Sequence, residues 1–369
     1  MRILSIFGTR PEAVKMAPVV RELERTPGVE ALVCVTAQHR QMLDQVLNLF
    51  EIVPHVDLDL MRPDQSLAQM TARVFEKLDP VLADLKPDWV LVQGDTTTVM
   101  SAAMLAYYHR IKVGHVEAGL RTGDKWQPFP EEINRRVAGV TADLHFAPTE
   151  WSRQNLLREN IPDEQIIVTG NPVIDALHWV SQKPYDLSAL GISMSGARYI
   201  TVTAHRRENF GEPLGNICYA IRQLAEIYGE KIQFVYPVHL NPNVQEPVYR
   251  LLGDIPNIKL IDPLDYLPMV HLMKHSTLVL TDSGGLQEEA PGLGVPVLVM
   301  REVTERPEGL EAGTVKLVGT DVEKMIAETR RLLDDADAHA EMAQAVNPYG
   351  DGQAAKRIIE AILKYEKPE

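Results

Sequence analysis

Short, mostly apolar, β-branched runs alternate along the chain with longer segments in which apolar residues recur every third or fourth position. Residues 3–7, 31–36, 89–93, 113–117 and 144–147 make a first set of runs; 199–203, 233–237, 258–261, 277–281, 295–299 and 314–317 make a second. Runs of this length fit strands buried on both faces. In residues 67–85, Leu67, Met70, Val74, Leu78, Val81 and Leu82 follow the spacing of an amphipathic helix. Buried strands separated by helices predict parallel sheets with helices on both faces, and the pattern runs twice. Two parallel α/β domains around one cleft are expected, with chemistry on the loops at the carboxyl ends of the strands.

The join between the sets is rich in breakers: Gly170-Asn171-Pro172, Lys183-Pro184 and the stretch 191–196. The expected domains are 1–170 and 171–350, with 171–182 as a connecting helix. After Asn347-Pro348-Tyr349-Gly350-Asp351-Gly352, residues 353–364 predict a last helix, so that 351–369 pack back on the first domain.

At 369 residues the chain is long enough for two domains of ~150 residues. Lys plus Arg is 37 and Asp plus Glu is 51, a net charge of −14, which excludes nucleic acid and anionic membranes as default partners. A small anion is still admissible where a few cations converge. Cys34 and Cys218 lie in separate apolar stretches and read as buried thiols. No apolar run approaches the ~18 residues of a membrane span, and the opening residues turn polar too early for a signal segment. A soluble cytoplasmic protein is expected.

Several motifs fall at predicted strand ends. Gly8-Thr9-Arg10-Pro11-Glu12 follows the first strand and opens a helix, whose N-terminal N–H groups suit an anion, with Arg10 and Lys15 nearby. It is neither a dinucleotide fingerprint nor a P-loop. Two solvated cations are the alternative. Gln93-Gly94-Asp95-Thr96 leaves Asp95 beyond a buried strand, as a chemical group or as a helix N-cap. Glu117, before Ala118-Gly119, is a poor cap and harder to explain structurally. Glu131 and Glu132 open another helix, where dipole compensation and a Glu131–Arg135 pair compete with a catalytic role. Three carboxyl groups near one cleft suit proton chemistry, because burial and repulsion spread their pKa values. In the second half His205, followed by Arg206 and Arg207, and more weakly His239, end strands. Thr281-Asp282-Ser283-Gly284-Gly285 runs from strand to helix and admits a phosphate, with Glu289 a turn further in for ribose hydroxyls and Glu288 facing solvent. Arg301 and Arg306 flank the next strand end as further cations. No zinc spacing and no Gly-x-Ser-x-Gly nucleophile motif is present.

Gly8-Thr9-Arg10-Pro11-Glu12, Gln93-Gly94-Asp95-Thr96, His115-Val116-Glu117-Ala118-Gly119-Leu120-Arg121, Pro130-Glu131-Glu132-Ile133-Asn134-Arg135, His205-Arg206-Arg207-Glu208-Asn209 and Asp282-Ser283-Gly284-Gly285 occur in that order over nearly the whole chain. Together they resemble the non-hydrolysing bacterial UDP-N-acetylglucosamine 2-epimerases. The resemblance implies two Rossmann-like domains of the GT-B type with UDP in the cleft, a homodimer through the first domain, and no metal or nicotinamide. It implies interconversion of UDP-N-acetylglucosamine and UDP-N-acetylmannosamine for cell-surface polysaccharide synthesis, by anti elimination of UDP through 2-acetamidoglucal and re-addition. Carried over by motif, Asp95, Glu117 and Glu131 are the acid–base set and His205 lies at the UDP phosphates. Arg10, Lys15, Ser283, Gly284, Gly285, Glu289 and Arg306 match nucleotide-binding positions, with Leu264 and Met269 at the uracil. Gln38, Gln41, Glu131, Arg206 and His239 match positions implicated in allosteric binding of UDP-N-acetylglucosamine, although Asp64 stands where some regulated members carry a basic residue. A GT-B glycosyltransferase shares the fold and the nucleotide loop, and hydrolysing 2-epimerases release the free sugar. A nucleotide-sugar sensor would need the phosphate loops but not the three carboxylates together.

Overall fold

A computed structural model describes residues 1–369 apart from 38–39, 63, 193–195, 197 and 367–369, and apart from the side chains of residues 40 and 41. The chain divides into two compact units, Met1–Ala176 with Tyr349–Glu369, and Leu177–Pro348. Strands β1 (Arg2–Phe7), β2 (Glu30–Val35), β3 (Val56–Asp57), β4 (Trp89–Gln93), β5 (Lys112–Val116), β6 (Leu144–Ala147) and β7 (Ile166–Val168) belong to the first unit. The second holds β8 (Arg198–Thr203), β9 (Ile232–Pro237), β10 (Ile258–Ile261), β11 (Ser276–Thr281), β12 (Val297–Val299) and β13 (Val315–Leu317).

All described pairings are parallel, in the orders β3-β2-β1-β4-β5-β6-β7 and β10-β9-β8-β11-β12-β13. Every long apolar run of the sequence is therefore a strand, and both units are Rossmann-like. The two runs that the pattern does not reveal, β3 and β7, are edge strands of two and three residues. In each sheet the order in which strands are added switches sides once, between β1 and β4 and between β8 and β11. Ligands of open α/β sheets bind in the crevice at such points, outside the carboxyl ends of the strands. Register brings the ends level: Ile6 pairs with Val92, Gln93 with Val116 and Thr203 with Thr281.

Each sheet lies within its own core. In the first unit Leu4, Ile6, Val90, Val92 and Val113 pack with Met70, Val74, Leu78 and Leu82 of the helix Leu67–Leu85. That helix starts at a Ser66–Gln69 capping box, and Leu67, at its exposed beginning, stays out of the core. In the second unit Ile200, Val202, Phe234, Leu278 and Leu280 pack with Ile217, Ile221 and Leu224. Cys34 and Cys218 are free and buried, and burial pushes each thiol up to about 12. Among the described residues no helix is long and apolar enough to cross a membrane.

The last helix, Ala354–Tyr365, packs against the first unit's helix Arg10–Arg25. Asp175 caps it, accepting from the Ala354 N–H at 3.1 Å and the Ala355 N–H at 2.9 Å. At its other end the Trp89 indole donates to Glu366 at 2.8 Å, Lys112 pairs with the same carboxylate, and Tyr365 meets the Trp89 ring edge-on at 5.3 Å. Two backbone segments touch where this helix begins. Gly170, at φ +85, and Gly350, at φ +131, leave no room for a side chain, since a Cβ on Gly170 would stand 3.2 Å from the Gly350 Cα. The Gly170→Ala variant is expected to lose about 1–3 kcal/mol in urea unfolding, because both the positive φ and the backbone opposite resist a methyl group.

Candidate active site

The carboxyl ends of β1, β4 and β5 gather the first group of residues. The helix Arg10–Arg25 opens with a Thr9–Glu12 capping box. Glu12, 2% exposed, accepts from the Gly8 N–H at 3.0 Å and the Thr9 N–H at 2.7 Å, and from the Thr96 hydroxyl at 2.7 Å. Burial pushes its carboxyl up, against these hydrogen bonds. The N–H groups of Gly8 and Thr9, just before the helix, are thus engaged by the protein's own carboxylate, and the Thr9 hydroxyl takes the Glu12 N–H inside it. Arg10 and Lys15 both sit half-buried on this helix.

Glu117 lies one residue past β5 in the left-handed region, at φ +61, and is 6% exposed. Three elements converge on its carboxylate. Lys15 donates to Oε1 at 2.5 Å, Asn171 donates to Oε1 at 2.9 Å, and the Gln93 amide donates to Oε2. A buried carboxylate costs several kcal/mol unless it is paired and hydrogen-bonded, and here the pairing comes from distant parts of the chain. Gln93 and Asn171 were quoted in sequence motifs without a role. The signal for Gln93 was its position, a polar residue closing an otherwise apolar strand.

Asp95 follows β4, but the N-cap of the next helix, Thr97–Tyr108, is Thr96. The capping explanation for Asp95 therefore fails. Arg135 donates to its Oδ2 at 2.9 Å, and the Asn134 amide donates to its main-chain oxygen at 2.9 Å. The expected Glu131–Arg135 pair is likewise replaced: Arg135 reaches Asp95 and Glu132 instead. Glu132, fully buried, accepts from Arg135, Arg136 and the N–H groups of Thr122 and Gly123, and so fixes the loop after Gly119. Its neighbour Glu131 has no ion pair among the described residues. It lines a cavity of about 470 Å³ with Thr9, Thr96, Asn134 and the segment that carries Asp64, Gln65 and Ser66.

Beneath Asp95, the His115 Nε2 donates to the Gly94 carbonyl at 2.7 Å, an assignment that follows because a carbonyl only accepts. Burial lowers His115 to about 4. His145, its partner across β5 and β6, is lowered to about 3, also mainly by burial.

The second group gathers at β8 and β11. Asp282, fully buried, accepts at Oδ2 from the N–H groups of His205 and Arg206, each at 2.8 Å, and from the Asn209 amide at 3.0 Å. Its Oδ1 lies 3.6 Å from the His205 Nδ1. The His205 ring stacks on His239 at 5.4 Å, so the two histidines expected at strand ends stand together. Burial lowers the His205 pKa, Asp282 opposes this, and His239 and Arg206 reinforce it. Ser283 is the N-cap of the helix Gly284–Gly292, and its side chain makes no capping hydrogen bond. A Cβ on Gly284 would lie 3.1 Å from the Arg306 guanidinium, so the absence of one lets this cation sit at the helix end. Glu288 does not face solvent: it is 3% exposed and accepts from Arg306 at 2.5 Å, whereas Glu289 is half-buried. Arg301 is buried and engaged by Glu208 and Glu305, which leaves it a structural cation. Leu264 and Met269 pack with Leu187, Tyr199 and Leu272 in a separate small cluster. Gln38 and the side chain of Gln41 lie outside the described residues. Among the described residues no His, Cys, Asp and Glu cluster has the arrangement of a metal site.

A family profile described as UDP-N-acetylglucosamine 2-epimerase matches residues 21–363. The chain is similar to the UDP-N-acetylglucosamine 2-epimerases of Salmonella typhimurium, at 57% identity over 99% of both chains, and of Escherichia coli K12, at 56% identity over 98% of both. Its fold is similar to the crystal structure of UDP-GlcNAc 2-epimerase from Neisseria meningitidis bound to UDP-GlcNAc, with a TM-score of 0.88 and 50% identity, covering 99% of this chain and 100% of that one. It is also similar to the Methanocaldococcus jannaschii enzyme in complex with UDP-GlcNAc and UDP, with a TM-score of 0.81 and 34% identity over 99% and 100% of the two chains.

The two buried histidines carry a pH dependence. Their folded pKa values lie below the unfolded value of ~6.5, so the unfolded chain binds more protons as pH falls from 6.5 toward 4. Stability is fully present above pH ~6.5 and declines below it, by about 3 kcal/mol at pH 4 for His115 alone. Urea unfolding across this range is expected to give a shallower slope for His145→Leu than for the wild type.

Proposed function

The chain belongs to the UDP-N-acetylglucosamine 2-epimerase family, and from that premise we propose that it interconverts UDP-N-acetylglucosamine and UDP-N-acetylmannosamine by elimination and re-addition of UDP. The carbon 2 proton is removed, its electron pair forms the bond between carbons 1 and 2, and the carbon 1–oxygen bond breaks with its pair on the departing diphosphate. The 2-acetamidoglucal then takes a proton on the opposite face of carbon 2 and UDP at carbon 1. Inversion at one carbon needs proton exchange on two faces, which calls for more than one acid–base group. Asp95, Glu117 and Glu131 are assigned that work.

The observation that carries this reading is the buried Glu117 carboxylate at the end of β5, with Asp95 at the end of adjacent β4. A carboxylate kept from water is worth its cost where it exchanges protons. Arg306, the open N-terminus of Gly284–Gly292 and His205 would stabilise charge on the leaving diphosphate. Arg10 and Lys15 are assigned to the nucleotide from the first unit, with Ser283, Gly284, Gly285 and Glu289 from the second and Leu264 and Met269 at the uracil. The ligands named for the N. meningitidis and M. jannaschii structures support UDP-N-acetylglucosamine and UDP as what the chain binds.

The further assignments belong to the same reading. Gln38, Gln41, Glu131, Arg206 and His239 are assigned to an activating UDP-N-acetylglucosamine; the cavity that Glu131 lines supports the share of the first unit. A homodimer through the first unit is supported by Tyr107, Tyr108 and Val140, which are 61–83% exposed on two of its helices. The reaction is placed in the cytoplasm, supplying cell-surface polysaccharide synthesis.

Asp95→Asn, Glu117→Gln and Glu131→Gln are each expected to lower turnover at least roughly a hundredfold, while UDP binding measured by calorimetry is kept. Near-wild-type rates in all three would overturn the proton-transfer assignment.

A further inference from the structure

We propose that Asn171 is a positioning residue for Glu117, tying the carboxylate to the backbone shortly before the chain leaves the first unit; this rests on the proton-transfer role proposed for Glu117. Asn171 is 1% exposed and directs its two amide atoms to different tasks. Its Oδ1 accepts from the Val173 N–H at 3.1 Å, at the start of the helix Pro172–Ser181. That contact fixes the amide orientation, because only an acceptor can face an N–H. Nδ2 therefore faces Glu117, donating to Oε1 at 2.9 Å.

The main chain of Asn171 binds the returning segment as well, its N–H donating to the Tyr349 carbonyl at 2.7 Å. Residues 170–171 precede the passage out of the first unit after Ala176, residues 349–350 follow the return to it at Tyr349, and the two segments touch at Gly170 and Gly350. One residue, through its main chain and its side chain, thus joins both segments to the carboxylate. Glu117 depends on such tertiary contacts, since its left-handed backbone is unfavourable for a residue other than glycine. A shift of either segment reaches the reacting group through Asn171, which couples the geometry of the join to the geometry of proton transfer.

A helix cap alone would explain the Oδ1 contact but not the Nδ2 contact, and one substitution separates them. Asn171→Asp keeps the capping oxygen and the shape, and exchanges the donor toward Glu117 for a second acidic group. Asn171→Ser also keeps a capping oxygen and is too short to reach Glu117. Turnover of UDP-N-acetylglucosamine is to be measured against pH for both variants beside Glu117→Gln, with UDP binding and thermal unfolding as controls. Expected are a kcat at least about tenfold lower in both, with UDP affinity within roughly twofold of wild type. In Asn171→Asp the acid limb of the kcat profile moves to higher pH, because a like charge makes Glu117 hold its proton more tightly. Either folded variant with a kcat within roughly twofold of wild type and an unmoved acid limb would overturn the inference, as would a fall in activity matched by an equal loss of UDP binding. Wild-type turnover in Glu117→Gln would overturn the role of Glu117 itself; an inactive Glu117→Gln beside unaffected Asn171 variants would overturn only the positioning role.

Discussion

The buried carboxylate of Glu117 is the point on which the first unit turns. It sits just beyond β5 in a backbone conformation that a glutamate adopts at a cost, and is reached by Lys15 from the first helix, Gln93 from β4 and Asn171 from the join. A carboxylate at 6% exposure loses most of its hydration, and leaving any one buried donor or acceptor unmatched costs about 1–3 kcal/mol or more. Elements separated by up to 102 residues must therefore be in register before this group is satisfied. Asp95 is held in the same manner by Arg135, whose guanidinium is itself oriented by Glu132.

The proposed reaction sets the opposite electrostatic requirement for the second unit. A departing diphosphate needs positive potential, which a protein of net charge −14 has to assemble locally. On that proposal the β8–β11 crevice does so with the start of the helix Gly284–Gly292, a glycine that admits Arg306, and a buried Asp282 that organises the His205 loop through three hydrogen bonds. The acidic surplus does not contradict an anionic substrate. Part of it neutralises and aims the cations, as Glu288 does for Arg306.

Much of this was legible in the sequence, for a physical reason. Strands covered on both faces read as nearly continuous apolar runs, so β1, β4, β8 and β11 announce themselves, whereas the edge strands β3 and β7 are too short to show a pattern. Glu117 stood out because a glutamate at that place has no ordinary structural task. Its partners did not, because hydrogen bonds across 24, 54 and 102 residues leave no local trace. The two Glu-Glu pairs expose the other limit. Glu132 and Glu288 are buried and bind arginines, while their neighbours Glu131 and Glu289 remain partly exposed. Both members of each pair are equally polar, so only the rotational phase of the helix, set by tertiary packing, decides which turns inward.

The central claim, that this chain exchanges the proton at carbon 2 of its substrate, is tested most directly by incubating UDP-N-acetylglucosamine alone with the enzyme in deuterium oxide and following the proton NMR spectrum. The account predicts the manno epimer with deuterium at carbon 2. An epimer that keeps its original proton there, or free sugar with stoichiometric UDP in place of an epimer, would contradict it.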